Sequence, residues 1–207
     1  MGACTFDLIH DYALELEPGV ILEIGSTRGE GSTYFFAGYT ANQSKFKFLT
    51  VDRNPELTRH LTKLERIGDI KVFTMTGEDF VDKVLPSANY KLSYVYLDGF
   101  DIIREYQELD PFIVNQKEQY QQQFKVELCN KNSWESHLYI TKGLLDYTTK
   151  NCIIHIDDTW YDEALGWQGK GATAVPFLLQ ENWQLLPEPE ISFFGTGYVA
   201  LKKLENG

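Results

Sequence analysis

The chain has 207 residues, 43% hydrophobic and 24% charged, the balance of an ordinary globular protein and not of a disordered or fibrous one. A formal net charge of −11 argues against nucleic acid or an anionic membrane surface as partner, because phosphate binding needs clustered Lys and Arg. The three cysteines (Cys4, Cys129, Cys152) form no CxxC pair and no run approaches the ~18 apolar residues of a membrane span, so free thiols in a cytoplasmic protein of one domain, residues 1–207, are expected.

Residues 5–17 read as a short amphipathic helix with Phe6, Ile9, Leu14 and Leu16 on one face. Asp7, Asp11, Glu15 and Glu17 interrupt the apolar core that a secretion signal would need. Pro18-Gly19 ends the helix and leads into an apolar strand at 20–24. Glycines at 25, 29 and 31 follow, with hydroxyl residues and a helix-compatible segment to Gly38. Strand, glycine turn, helix is the order of a cofactor-cradling loop, since glycine admits the ligand to the backbone and the helix start offers free N–H groups.

A second strand, 46–51, runs into Asp52, and Asn54-Pro55 reads as the cap and first turn of a helix with Leu57, Leu61, Leu64 and Ile67 along one stripe. Residues 70–75 form a third strand before a helix opened by Gly77-Glu78-Asp79. A fourth strand, 92–97, ends in Asp98-Gly99. The Gln-rich stretch 101–132 has weak periodicity and is too long for a plain connector, which makes it an insertion serving as a lid or a dimer contact. A helix over 133–149 with Ser133 as N-cap precedes the fifth strand, 152–156, which ends in Asp157-Asp158. Residues 166–171 read as a flexible loop before a helix to about Gln180, and 183–186 with 193–201 as a closing hairpin.

Five apolar strands alternating with helices predict a mostly parallel α/β sheet covered on both faces, with ligands beyond the carboxyl ends of the strands. Those ends carry Glu23, Asp52, Glu78, Asp98, Asp157 and Asp158. Asp52, roughly twenty residues past the glycine loop, has the place of a carboxylate that accepts from two ribose hydroxyls, or of a turn carboxylate. Glu78 and Asp79 suit an adenine edge or simply a helix N-terminus. Asp98, Asp157 and Asp158 would repel one another unless a cation or protons relieve them, and a hard ion such as Mg²⁺ takes such oxygens; a helix-capping or solvated acidic rim is the alternative.

Glu23-Ile-Gly25-x-x-x-Gly29-x-Gly31 followed by an acidic residue closing the second strand resembles the class I S-adenosylmethionine (SAM)-dependent methyltransferases. Asp98 with Asp157-Asp158 is similar to the metal-dependent O-methyltransferases of the catechol and macrolide-sugar kinds. The resemblance covers residues 18–201. It implies a Rossmann-like, doubly wound, mostly parallel seven-stranded sheet of order 3-2-1-4-5-7-6, strand 7 antiparallel, with helices on both faces. It also implies that Glu23, Gly25, Ser26 and Gly29, with Gly31 and Ser32, line the methionine end of SAM, and that Asp52 holds the ribose. Gly77, Glu78 and Asp79 would flank the adenine, and Asp98 would serve both the cofactor site and a metal held with Asp157 and Asp158. That metal would grip neighbouring oxygens of a small-molecule acceptor and lower the pKa of one hydroxyl.

Catechol-type enzymes place a lysine base three residues after the first metal aspartate, where this chain has Asp101. His155, His137, Asp101 and Lys170 are the replacement bases available; the bland readings are a core histidine, a solvent-facing histidine and a solvated loop lysine. Trp134, Trp160, Tyr161 and Trp167 gather near the same rim as an aromatic wall or as packing. Two rivals stand beside this reading. A short-chain-dehydrogenase-like NAD(P) oxidoreductase shares the glycine spacing but wants Tyr and Lys four apart, and Tyr139/Lys142 and Tyr147/Lys150 are three apart. A catalytically silent scaffold would have no use for three repelling aspartates.

Overall fold

The apolar runs become parallel strands β1 (Gly19–Ile24), β2 (Phe46–Asp52), β3 (Ile70–Thr74), β4 (Leu92–Leu97) and β5 (Thr148–Ile156). The computed structural model of the chain describes residues 8–26, 31–103, 110–187 and 197–204. Two further strands, β8 (Trp183–Leu185) and β9 (Val199–Lys203), complete a seven-stranded sheet of order β3-β2-β1-β4-β5-β9-β8. β9 is antiparallel to both its neighbours, so it alone opposes the other six. With β8 and β9 as the sixth and seventh strands of the sheet, this is the expected order. A separate hairpin, β6 (Thr159–Asp162) and β7 (Gly166–Gly169), stands outside it.

Every residue of β4 is buried, as a central parallel strand covered on both faces must be. Side chains alternate between two cores with the period of two that a strand imposes. Leu22, Val95, Leu97 and Ile154 meet Phe80, Val81, Ile140, Leu144 and Leu178 on one face. Ile21, Tyr94, Tyr96 and Ile153 meet Phe36, Phe48 and Leu61 on the other. The first set includes residues of α6 (Asn130–Leu144) and α7 (Ala174–Gln180); the second includes α2 (Ser32–Ala41) and α3 (Pro55–Leu61). Asn54 caps α3 by accepting from the Glu56 N–H at 2.9 Å, with Pro55 in the first turn.

Four elements differ from the sequence reading. Among the described residues the first helix keeps one turn, α1 (Leu8–Asp11), followed by turns that end near Leu16, while residues 5–7 of the expected helix lie outside the described residues. α6 starts at Asn130, so Ser133 lies inside it, buried, its hydroxyl donating to the Phe100 carbonyl at 3.0 Å instead of capping. The same helix ends at Leu144 because β-branched Thr148 and Thr149 already belong to β5. Residues 166–169 are a strand, not a loop: Gly166 and Gly169, at φ 76° and 80°, take conformations that let β7 fold back on β6.

The insertion carries α5 (Pro111–Gln119), a widened turn Tyr120–Phe124 and the first turn of α6, and has its own small core of Phe100, Ile103, Ile113, Tyr120 and Leu128. Among the described residues no helix is long and apolar enough to cross a membrane.

The α6 face depends on Gly143, where an added Cβ would lie 2.0 Å from Val81 Cγ1. Gly143→Ala is expected to destabilise the fold by about 1–3 kcal/mol, the usual cost of overpacking, with Val81→Ala in the same chain recovering part of it. Urea unfolding of both single variants and the double variant measures the coupling; additive effects would disprove the contact.

Candidate functional site

The carboxyl ends of β1, β2 and β4 open into a cavity of about 720 Å³, lined by Gly25, Asp52, Arg53, Glu78, Asp101 and residues of the insertion, among others. Gly25 sets its geometry. It has φ 93°, and a Cβ there would lie 2.4 Å from the Asp98 carbonyl oxygen. Its absence of a side chain lets the end of β1 touch the end of β4, which brings the glycine turn beside Asp98.

Asp52 stands at the cavity wall and accepts from the backbone N–H groups of Ser26, 3.1 Å, and Asn54, 2.7 Å. Burial raises its pKa, and these two N–H groups pull it back. Glu23 lies beneath the turn and does not line the cavity: Thr33 and Thr50 hydroxyls donate to its Oε2 at 2.8 and 2.6 Å, tying α2 to β2. Burial pushes the Glu23 carboxyl up to about 7 against those hydroxyl bonds. Gly31 precedes α2 at φ 66°, Ser32 is buried, and Gly29 lies outside the described residues.

Gly77 and Glu78 line the cavity, and Glu78 accepts from the Ser136 hydroxyl at 2.5 Å. Asp79 does not line it; its carboxylate pairs with exposed Lys83 at 2.6 Å. The roof comes from residues the sequence reading missed. The Arg53 guanidinium lies 5.0, 4.6 and 4.4 Å from the ring centres of Phe100, Tyr120 and Phe124. This cation–π clasp holds the insertion across the cavity, from the end of β4 to the end of β2. The one signal for it is the four-residue spacing of Tyr120 and Phe124, which means nothing until Arg53 is opposite. Asp101 belongs to the same strap, accepting from Gln116 Nε2 at 2.6 Å and the Tyr120 hydroxyl at 2.9 Å.

Beside the cavity, Asp98, Asp157 and Asp158 converge, one carboxylate oxygen of each within 4.8 Å of the others. Lys170 lies among them, 1% exposed, its Nζ paired with Asp98 Oδ1 and 3.2 Å from Asp158 Oδ2. The β6/β7 hairpin puts it there. Thr159 pairs with Gly169, and the Lys170 N–H donates to the Asp158 carbonyl at 3.0 Å. Asp158 itself takes φ 46°, rare outside glycine. The Tyr96 hydroxyl hydrogen-bonds Asp157. With three carboxylates around it, Lys170 is held protonated, its pKa raised well above the usual lysine range despite burial. That removes it as a base: it has no lone pair to accept a proton.

His155 is also out of reach. It is buried in the α2-side core with Nδ1 2.8 Å from the Tyr94 hydroxyl, its ring 4.3 Å from that of Tyr198, and burial lowers its pKa to about 3. His137, buried in α6, donates Nδ1–H to the Ser133 carbonyl at 2.8 Å, and its Nε2, like that of His155, has no hydrogen-bond partner; neither histidine lines the cavity. Burial first, then the Lys170 charge, lowers its pKa to about 4, so it is a neutral imidazole with a free Nε2 lone pair. Trp134 packs the hairpin, its Nε1–H donating to the Gly169 carbonyl at 2.9 Å, and Tyr161 and Trp167 meet edge to face across the hairpin at 5.0 Å.

No family model matches the sequence, and no curated protein matches it either. Solved structures do match. TDP-rhamnose 3′-O-methyltransferase CalS11 of calicheamicin biosynthesis superposes with a TM-score of 0.59 at 15% identity over 96% of this chain and 76% of that one. N-methyltransferase NodS of Bradyrhizobium japonicum gives 0.51 at 11% identity over 96% and 93%. A Streptococcus mutans protein crystallised with S-adenosylhomocysteine (SAH) gives 0.57 at 11% identity over 99% and 100%. The fold is that of the SAM-dependent methyltransferases. Both O- and N-acting enzymes share it, so the fold leaves the acceptor atom open.

Glu23 links this site to stability. Its folded pKa, about 7, lies above the ordinary 4.5, so the folded state holds the extra proton between those values and stability falls as pH rises through them. The cost is on the order of 3 kcal/mol by the usual conversion. Glu23→Gln should lose this decline; unfolding free energies at pH about 5 and about 8 test it, and equal pH slopes in wild type and variant would refute it.

Proposed function

We propose that this chain transfers a methyl group from SAM to an oxygen of a small-molecule acceptor. The observation that supports it most is the juxtaposition of a cofactor-sized cavity at the strand ends with the part-buried Asp98–Lys170–Asp158 cluster beside it. Bound SAM would supply an electrophilic methyl on a sulfonium. Asp52, with lone pairs left beyond its two backbone bonds, suits the ribose hydroxyls; Glu78 and Gly77 suit the adenine side; Gly25, Ser26, Gly31 and Ser32 suit the methionine end. The strap clasped by Arg53 would shield that cavity from water.

On the acceptor side, the free Nε2 of His137 is the base we favour, with the aspartates orienting the hydroxyl. Methyl transfer is an in-line displacement, and positioning supplies much of its rate. The Mg²⁺ expectation meets an obstacle in the site itself: the ammonium of Lys170 already lies between Asp98 and Asp158, so the donor set does not fit a divalent ion while that side chain stays in place. The dehydrogenase alternative loses its Tyr–Lys pairs. The Tyr139 hydroxyl donates to Asp82 at 3.0 Å, Lys142 lies over Phe177, and Lys150 belongs to β5 and not to a helix with Tyr147.

Calorimetric titration with SAH and, separately, with NADH and NADPH tests the cofactor. SAH should bind and the nicotinamides should not. Asp52→Asn should weaken SAH by about 10- to 100-fold, the worth of a charge-assisted hydrogen bond. Binding of a nicotinamide instead, or an unchanged SAH affinity in the variant, would reject the assignment.

A further inference from the structure

We propose that Lys170 is the resident cation of the aspartate cluster, standing where a divalent metal would otherwise be needed, so that acceptor binding here requires one hydroxyl and not a chelating pair of oxygens. The proposal rests on the methyl-transfer reading above.

Charge comes first. Three converging carboxylates repel unless a cation or protons relieve them, and the only lysine ammonium among the described residues that contacts them is that of Lys170. Burial comes second. A lysine pays heavily for desolvation, and a side chain 1% exposed is not a surface residue resting against a rim. Backbone geometry comes third. On one side of Lys170, Gly169 leaves no room for a Cβ, which would lie 1.8 Å from the Asp158 carbonyl oxygen. On the other, the Gly171 N–H donates to Thr159 Oγ1 at 2.9 Å. With its own N–H on Asp158, the backbone at Lys170 is fixed on three consecutive residues, so its side chain starts from a point set against the aspartates.

The consequence is chemical. An octahedral ion would bind the carboxylates and keep further positions for two acceptor oxygens. An ammonium has three donors in all. One is donated to Asp98, a second lies on the side of the Asp158 ion pair at 3.2 Å, and the third can serve one more oxygen, either of Asp157 or of the acceptor. Lys170 is thus a positioning residue that holds Asp98 and Asp158 in place, and the acceptors it suits are single alcohols or phenols as readily as catechols and diols.

Mn²⁺ binding followed by electron paramagnetic resonance tests this without relying on turnover. EDTA-treated wild type should bind no stoichiometric Mn²⁺, and Lys170→Arg, which keeps a cation, should behave alike. Lys170→Ala should expose the three carboxylates and bind one Mn²⁺ about tenfold or more tightly than wild type, because the ion no longer displaces a buried ammonium; Asp157→Asn in that background should weaken it. Thermal unfolding should show Mn²⁺ raising the Tm of Lys170→Ala alone. One tight Mn²⁺ per wild-type chain, lost in Asp98→Asn, would overturn the proposal, as would a folded Lys170→Ala that binds no better than wild type. If Lys170→Ala does not fold, the wild-type and Lys170→Arg titrations decide. SAH titration of the same samples separates the two claims: absence of SAH binding sinks the methyltransferase reading, and Mn²⁺ binding by wild type sinks only this one.

Discussion

Carboxylates at the ends of neighbouring strands can stay close only while a positive group sits among them or protons neutralise them. In this protein that group is an ammonium on the chain itself, carried in by a two-stranded hairpin that is not part of the main sheet. The hairpin, the left-handed turn at Asp158, and the packing of Trp134 on Gly169 all serve to set one lysine Nζ against Asp98 and Asp158. Remove that charge and the strand ends would repel each other, the rim of the cavity included.

The cofactor side depends on a different constraint, the contact of two backbones. β1 and β4 meet so closely at Gly25 and Asp98 that no side chain fits between them. This contact joins the two halves of the site: the turn that would hold a donor and the strand end that faces an acceptor share one wall. Glu23 beneath it is buried without a cationic partner among its described contacts, held by hydroxyls from two elements, and its raised pKa records the cost of that burial. The Arg53 clasp then spans the opening, so a ligand in the cavity would lie under protein and not in open solvent.

Much of the fold was legible because its signals are local. Apolar runs of strand length, each closed by a polar residue, give β1 to β5, and the alternation with helical segments gives a parallel sheet. Asn54-Pro55 announces a helix start by its own chemistry. Where the reading erred, a nonlocal contact had overruled a local preference. Ser133 looks like a cap, yet Phe100 captures its hydroxyl from another element. Gly166 to Gly169 looks flexible by composition, yet pairing with β6 makes a strand of it.

Sequence alone determined which acidic residues close which strands, because strand ends follow from hydrophobic pattern and turn chemistry within a few residues. What surrounds those acids was a matter for the tertiary structure. Lys170 lies a dozen residues past Asp158 in what reads as a loop, and His155 and His137 look alike as candidates in the chain. Only the folded chain separates them: sheet register sends His155 into the core on Tyr94, α6 sets His137 near the Lys170 charge, and the hairpin register turns Lys170 inward. The physical reason is that charge pairing and burial depend on distance in space, which the sequence sets only after every strand has found its neighbour.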